Sequence, residues 1–363
     1  MTANQPPQRP APVFCTIVPP HILDALSRSE DAALHTRARR TLERDARERE
    51  LRLTAGASPR RSAAAPTADA PADATARRTI HDAGHGTELP GRTVRTEGAD
   101  PVEDATVNRA YAGLGATFDL YLKAYRRDSI DGAGLPLVAS VHYDEKYNNA
   151  FWNGDQMVFG DGDGEIFLDF TLPVDVIGHE LTHGVTQHTA GLAYQGQSGA
   201  LNESVSDVFG SLIKQYTLGQ TAAEADWLIG AGLLAPRVSG KALRSMKAPG
   251  TAYDDPALGK DPQPATMADY VDTTDDNGGV HINSGIPNHA FYLLAKELGG
   301  HAWERAGQIW YDVLTGGELA QDADFAAFAA LTATAARARY GDDGRDAEEA
   351  VRKAWTQVGV DPA

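Results

Sequence analysis

The chain reads as an α+β protein with a β-rich first lobe, an α-helical second lobe and a small N-terminal segment ahead of both. Three observations predict this. With 363 residues and 42% hydrophobic content, it can bury a sizeable core and form more than one lobe. Short apolar runs such as Leu137-Val138-Ala139-Ser140-Val141-His142 and Gln156-Met157-Val158-Phe159, typical of strands, fall before residue 173. From Val174 onward, apolar residues recur mostly at helical spacing.

The N-terminal segment comes first. Residues 12–20 read as a short strand ended by Pro19 and Pro20, and residues 21–28 and 30–53 as helices. The second helix is strongly charged, with apolar positions mainly at Leu34, Leu42 and Leu51. Residues 1–53 therefore cannot bury much core of their own and should pack on the rest of the chain. Residues 54–77 are rich in Ala, Pro and Thr, the composition of a flexible linker open to proteases. Residues 78–173 make the β-rich lobe, with one helix near Val107 to Tyr125, and residues 174–363 the helical lobe. Gly160-Asp161-Gly162-Asp163-Gly164 has the look of a calcium loop. An EF-hand counted from Asp161 needs Gly and Glu where Ile166 and Leu172 stand, so a hairpin turn is expected instead. No internal repeat is visible.

Charge and composition exclude some partners. The net charge is −17, which argues against nucleic acid and anionic membrane. Residues 1–61 carry 11 Arg and no Lys against 7 acids, a balance of +4 that leaves −21 on the remainder. A basic head on an acidic body suggests electrostatic docking of one on the other. No apolar run is long enough to span a bilayer. Residues 1–20 lack a basic stretch followed by an apolar one, so no classical signal peptide is expected. The expectation is cytoplasmic synthesis, with any secretion by a leaderless route. The single cysteine, Cys15, rules out an intramolecular disulfide.

The most informative stretch is His179-Glu180-Leu181-Thr182-His183 inside a helical run. On a helix, residues four apart share a face, so two imidazoles can grip one Zn²⁺ while Glu180 reaches its water. Twenty residues on, Asn202-Glu203-Ser204-Val205-Ser206-Asp207 lies on a second helical run with apolar Leu201, Val205, Val208, Phe209, Leu212 and Ile213. Glu203 and Asp207 share one face of it. Glu203 can be the third metal ligand, and Asp207 can fix the tautomer of a ligand imidazole. Two carboxylates on such an apolar helix are unfavourable unless paired or metal-bound.

Taken together, these motifs make the chain resemble the thermolysin-like zinc metallopeptidases. Tyr147-Asn148-Asn149-Ala150-Phe151-Trp152-Asn153-Gly154 resembles the family's edge strand beside the active site. Asp276-Asn277-Gly278-Gly279-Val280-His281-Ile282-Asn283-Ser284-Gly285 resembles the segment carrying its second catalytic histidine. Gly191-Leu192-Ala193-Tyr194-Gln195 and Leu243-Arg244-Ser245-Met246 match as well. The resemblance implies a two-lobed fold with the zinc helix between the lobes. It implies zinc on His179, His183 and Glu203, and Glu180 as general base. Tyr194 and His281 would stabilise the oxyanion, Asp276 would orient His281, and Asn202 would support the second imidazole. Asn149, Ala150 and Trp152 would take the peptide substrate as an added strand, and Arg244 would contact a substrate carbonyl. Phe167, Phe170, Val176, Ile229 and Leu243 match an apolar pocket by position, which implies cleavage before a bulky apolar residue.

The N-terminal segment resembles the short propeptide of the protealysin-like branch, with Pro19-Pro20-His21 departing from a Pro-Pro-Leu motif at its third position. The implied protein is an endopeptidase made as a self-inhibited precursor acting on peptides and proteins. Two inhibitory arrangements stay open: a strand along the cleft with Pro19 and Pro20 in the primed subsites, and the Cys15 thiolate on zinc. The family's double calcium site, built from five acids, falls here on Asp175, Lys214, Asp226, Leu228 and Ala231. Calcium needs six to eight oxygen ligands, so no calcium is expected there, and Lys214 could place its ammonium between the two acids. The competing readings are a catalytically inactive zinc-fold binding module and an aminopeptidase. Retention of Glu180, Tyr194 and His281 speaks against the first, and the edge-strand match against the second.

Overall fold

The structure is a computed structural model that describes residues 14–55, 74–341 and 345–362. Most of the expected linker, residues 56–73, lies outside the described residues. At the N-terminus, α1 (Pro20–Leu26) begins with a proline whose fixed φ suits a first helical turn, and α2 (Ala32–Ala55) comes after it. A five-stranded sheet comes next, built from β1 (Arg78–Asp82), β2 (Arg92–Thr96), β3 (Leu137–Val141), β4 (Ala150–Trp152) and β5 (Met157–Phe159). Its order is β2-β1-β3-β5-β4. The β1–β3 and β3–β5 pairs are parallel, and the two outer pairs are antiparallel, which leaves β4 as an edge. Between β2 and β3 runs α3 (Ala105–Tyr125), capped by the Asp104 side chain on the N–H groups of Thr106 and Val107.

Two buried helices join the halves. In α4 (Val174–Gln187), every residue from Asp175 to Thr186 is buried, and in α5 (Gly196–Leu218) so is every residue from Ser198 to Gln215. They approach closely because glycines meet at the crossing. A Cβ on Gly210 would stand 2.6 Å from the Asp175 carbonyl oxygen, and one on Gly178 would stand 2.5 Å from Ile213 Cδ1. The short pair β6 (Leu228–Ile229) and β7 (Arg244–Ser245) comes next. A second short antiparallel pair, Asp254–Asp255 with Gly259–Lys260, precedes the helices α6 (Asp276–Asn283), α7 (Gly285–Leu298), α8 (Ala306–Thr315), α9 (Phe325–Tyr340) and α10 (Arg345–Gln357). Among the described residues, no helix is long and apolar enough to cross a membrane.

One expectation changes, and one helix packs by a face the sequence reading left unassigned. The Gly160–Gly164 segment is not a hairpin: it comes after β5, whose only sheet neighbours are β3 and β4. Asp163 organises it instead, its Oδ1 accepting from the N–H groups of Glu165, Ile166 and Phe167. On α2, the apolar positions do not define the inner face. Leu51 is exposed and Leu42 only partly buried, while Leu34, Ala38, Thr41 and Asp45 form the buried stripe. Charge docks this helix as the basic-head reading anticipates. Arg40 pairs with Asp144, Arg44 lies 3.4 Å from it, and Arg37 reaches Glu165 at 2.7 Å.

Candidate active site

Helix periodicity sets the site. His179 and His183, one turn apart on α4, are held from behind. His179 Nδ1 donates to Asp207 at 2.8 Å, and His183 Nδ1 lies 2.8 Å from Asn202 Oδ1, with Ser206 Oγ at 3.1 Å. Asn202 is itself fixed by donating to the Leu192 carbonyl. With both Nδ1 atoms engaged as donors, the Nε2 atoms present lone pairs. Those atoms lie 3.1 Å apart, and each is 3.5 Å from a Glu203 oxygen. Two lone pairs and a carboxylate facing one another repel unless a cation sits among them, so this donor set fits a divalent metal. The protonation states agree. Burial holds His183 neutral, down to about 4. Burial alone would raise Glu203, but the imidazoles of His281, His183 and His179 override it and hold the carboxylate at about 2.

Glu180 is completely buried on the same helix, and its Oε2 accepts from the Trp152 backbone N–H at 3.0 Å. Burial first, and Glu203 second, push its pKa well up. That is the direction a general base needs. On the other side, α6 is irregular at its start, with φ near +50° at Asp276 and Asn277 and positive at Gly278 and Gly279. This coil lets Asp276 fold back on His281, accepting from its Nδ1 at 2.7 Å and its N–H at 2.9 Å. Burial would lower His281; Asp276 and Glu203 outweigh it and raise it to about 9. Tyr194 bridges the two sides, its hydroxyl bonded to Glu203 and 3.3 Å from His281 Nε2.

The cleft is filled by the chain's own N-terminal residues. Thr16 pairs antiparallel with Phe151 on the open edge of β4. The Ile17 N–H donates to the Ala150 carbonyl at 3.1 Å, and the Val18 N–H to Asn149 Oδ1 at 3.0 Å. Arg244 Nη1 donates to the Ile17 carbonyl at 3.2 Å, while Nε and Nη2 hold Asp207 at 2.8 and 2.9 Å. Ile17 is fully buried, and so are Phe167, Phe170, Val176, Ile229 and Leu243, all within the large apolar core that runs through both lobes. Cys15 Sγ lies 3.0 Å from Glu203 Oε1 and 3.5 Å from His281 Nε2. Its sulfur and ligand atoms of His179, His183 and Glu203 all lie within 4.8 Å of one another. Pro19 is buried just after this strand, and Pro20 opens α1.

Several contributors escape sequence reading. Asp45 of α2 is buried behind the edge strand, accepting from Asn149 Nδ2 at 3.0 Å and from Tyr147. Asn288 donates to Asp207 at 2.8 Å, and Gln263 to the His281 carbonyl at 2.8 Å. His21 lies 2.8 Å from the Tyr253 hydroxyl. Behind the site, Lys214 Nζ stands 2.7 Å from Asp175 and 2.9 Å from Asp226, and it donates to the Leu228 carbonyl at 2.6 Å. Ala231 makes no part of this cluster among the contacts described. The ammonium thus lies between the two acids.

Comparison with known proteins agrees with this geometry. The family model described as thermolysin metallopeptidase, catalytic domain, matches residues 72–187, and the one for its alpha-helical domain matches residues 190–360. The chain is 57% identical over 286 residues to an "Extracellular metalloprotease" of Pectobacterium carotovorum, covering 79% of this chain and 82% of that one. It is 52% identical to "Protease PrtS" of Photorhabdus, covering 79% and 77%. Among solved structures, the precursor of protealysin, a metalloproteinase from Serratia proteamaculans, superposes with a TM-score of 0.85 at 51% identity, covering 95% of this chain and 99% of that one. A chain matched by the family's models over both lobes, and more than half identical to two such proteases, belongs to the thermolysin family of zinc metalloendopeptidases.

Proposed function

We propose that this chain is a secreted endopeptidase precursor, silenced by residues 14–18 in its own cleft and matured by cleavage within residues 54–77. The name of the Pectobacterium relative supports secretion. The observation that carries the catalytic reading is the convergence of His179, His183 and Glu203 beside the buried carboxylate of Glu180. Zinc, when bound by those three ligands, supplies Lewis acidity and lowers the pKa of a water. Glu180 takes the attacking water's proton and returns it to the leaving amine. His281, kept protonated by Asp276, and Tyr194 donate to the developing oxyanion, a contribution of roughly 3 kcal/mol per donor. Asn149, Ala150 and Arg244 align the substrate backbone; Asp207 and Asn202 keep the ligand imidazoles in the metal-binding tautomer.

The inhibitory segment itself supports the specificity. The groups assigned to substrate hold Ile17 by its N–H and its carbonyl, so Ile17 occupies the station just after the scissile bond. Its burial among apolar residues favours cleavage before a bulky apolar residue. Cys15 is the fourth ligand in this reading, its thiolate occupying the metal position that water needs. The strand and the sulfur then act together rather than as alternatives. No calcium binds beside Asp175, where Lys214 stands in. The test is hydrolysis of casein by the matured protein. Phenanthroline and Glu180→Ala should both abolish it, the variant while retaining zinc. Undiminished hydrolysis by Glu180→Ala refutes the assignment.

A further inference from the structure

We infer that His85, His142 and Asp161 form a second site for a divalent transition ion of the zinc class, at the end of the sheet where its parallel strands finish. The three sit just beyond the C-terminal ends of β1, β3 and β5, the parallel core of the sheet. The backbone fixes them there. The His85 N–H donates to the His142 carbonyl at 2.8 Å, and the Asp144 N–H to the Gly86 carbonyl at 2.9 Å. Both histidines adopt the left-handed region, with φ +60° and +54°. A non-glycine residue there is uncommon, and two together bring the rings to 5.5 Å.

The donor geometry repeats the logic of the catalytic centre. His142 Nε2 donates to Asp104 Oδ2 at 2.8 Å. Nδ1 on the other side of the ring faces Asp161, whose two oxygens both lie at 2.9 Å, so a proton on Nδ1 or a metal ion must mediate that contact. His85 Nδ1 approaches the same carboxylate at 3.5 Å, and ligand atoms of all three lie within 4.8 Å of one another. A lone pair so close to a carboxylate needs a positive charge between them, either a proton or a metal ion. A proton on His142 satisfies Asp161 and Asp104 but sets His85 beside an imidazolium. A single metal ion satisfies all three donors. Two imidazole nitrogens and one carboxylate suit zinc, nickel or copper and disfavour calcium and magnesium, which prefer all-oxygen shells. His85 is 59% exposed at its side chain, so solvent can reach the site and complete the shell. Asp104 also caps α3, so an ion here ties three strand ends to the start of that helix.

This second site does not depend on the protease reading, and the test keeps the two apart. The full-length chain carrying Glu180→Ala, which keeps every metal ligand and cannot digest itself, is equilibrated with micromolar free Zn²⁺ near neutral pH. Elemental analysis is expected to find a second zinc beyond the catalytic one. His85→Ala should lose that second ion and keep the first; His179→Ala should lose the first and keep the second. Zinc should raise the melting temperature of the His179→Ala chain and not of the chain that also carries His85→Ala. A single ion in the Glu180→Ala chain overturns the inference. So does a second ion that survives both His85→Ala and His142→Ala, or equally tight uptake of Ca²⁺ or Mg²⁺.

Discussion

Lys214→Met isolates the ammonium that lies between Asp175 and Asp226. In the folded chain, the ammonium neutralises Asp175, which is fully buried in the first turn of α4, four residues before the ligand His179. It also ties Asp226 and the Leu228 carbonyl to α5. Burial alone would lower the lysine's pKa, but Asp175 and then Asp226 outweigh it, so the net shift is upward. A raised lysine contributes stability fully below its free value and loses it only as pH rises through the raised value. The cross-link is therefore intact at neutral pH. Removing the cation leaves a buried carboxylate uncompensated, which costs about 3 to 5 kcal/mol. The Gly230 N–H still donates to Asp175 and the α4 dipole favours it, so about 3 kcal/mol is the expected loss. At roughly 1 to 2 °C per kcal/mol for a chain of this size, melting should fall by about 3 to 6 °C. The assay is calorimetry in the Glu180→Ala background at several scan rates, because proteases of this size unfold irreversibly. Millimolar Ca²⁺ should leave the parent unmoved. Lys214→Asp should acquire a calcium response of about 1.4 kcal/mol at tenfold excess over Kd. A Lys214→Met chain that melts within about a degree of the parent, or a parent stabilised by many degrees with Ca²⁺, refutes the reasoning.

Cys15→Ser should make the unprocessed chain active on a short fluorogenic peptide, by at least about tenfold, or about 1.4 kcal/mol. Activity as low as the parent's would assign inhibition to the strand alone. Two buried groups at the docking surface should give opposite pH responses. Burial, followed by His281 and Arg244, lowers His21 to about 4 against the opposing pull of Asp276, so its contribution to docking is lost as pH falls from about 6.5 toward 4. Burial raises Asp45 to about 7 despite Tyr147, Asn149 and Arg49, so its contribution is fully present below about 4 and is lost as pH rises toward 7. The two offset each other between pH 4 and 6.5. In the Glu180→Ala background, acidification should loosen Asp45→Asn and tighten His21→Leu, read as the rate at which an added protease degrades residues 14–55. Equal pH slopes in the two variants would sink this account.

The sequence is most legible where a local pattern decides the structure. A five-residue pattern on one helix specifies His179, Glu180 and His183, and the apolar spacing around Glu203 specifies the partner helix. The Gly160–Gly164 segment shows the limit, because glycine and aspartate announce a turn without fixing where the chain goes after it. The helix α2 shows it more sharply. Its few apolar positions, Leu34, Leu42 and Leu51, share no single face, and the buried stripe runs through Leu34, Ala38, Thr41 and Asp45, where Tyr147, Asn148 and Asn149 offer polar partners. A charged residue reads as solvated until the surface it meets is known. For Cys15 the sequence leaves two arrangements open for the same reason: its neighbours lie 188 and 266 positions away.

The same distance hides how tightly recognition and metal binding are joined. Asp207 orients the ligand His179 with one oxygen and takes Asn288 on the other, while Arg244 grips both. That arginine also donates to the Ile17 carbonyl of the N-terminal segment on β4, the place the proposed function gives to substrate. Burial would raise Asp207, but Arg244 and His179 outweigh it and keep it far below the usual carboxylate range. Its charge is therefore permanent, and Arg244 has no conformation in which it leaves Asp207 without stranding a buried anion. A peptide entering the cleft meets an arginine already aimed, and the ordering that binding would otherwise require is complete before it arrives. The imidazole of His179 and the guanidinium of Arg244 share one carboxylate, so their geometry is fixed together by the fold.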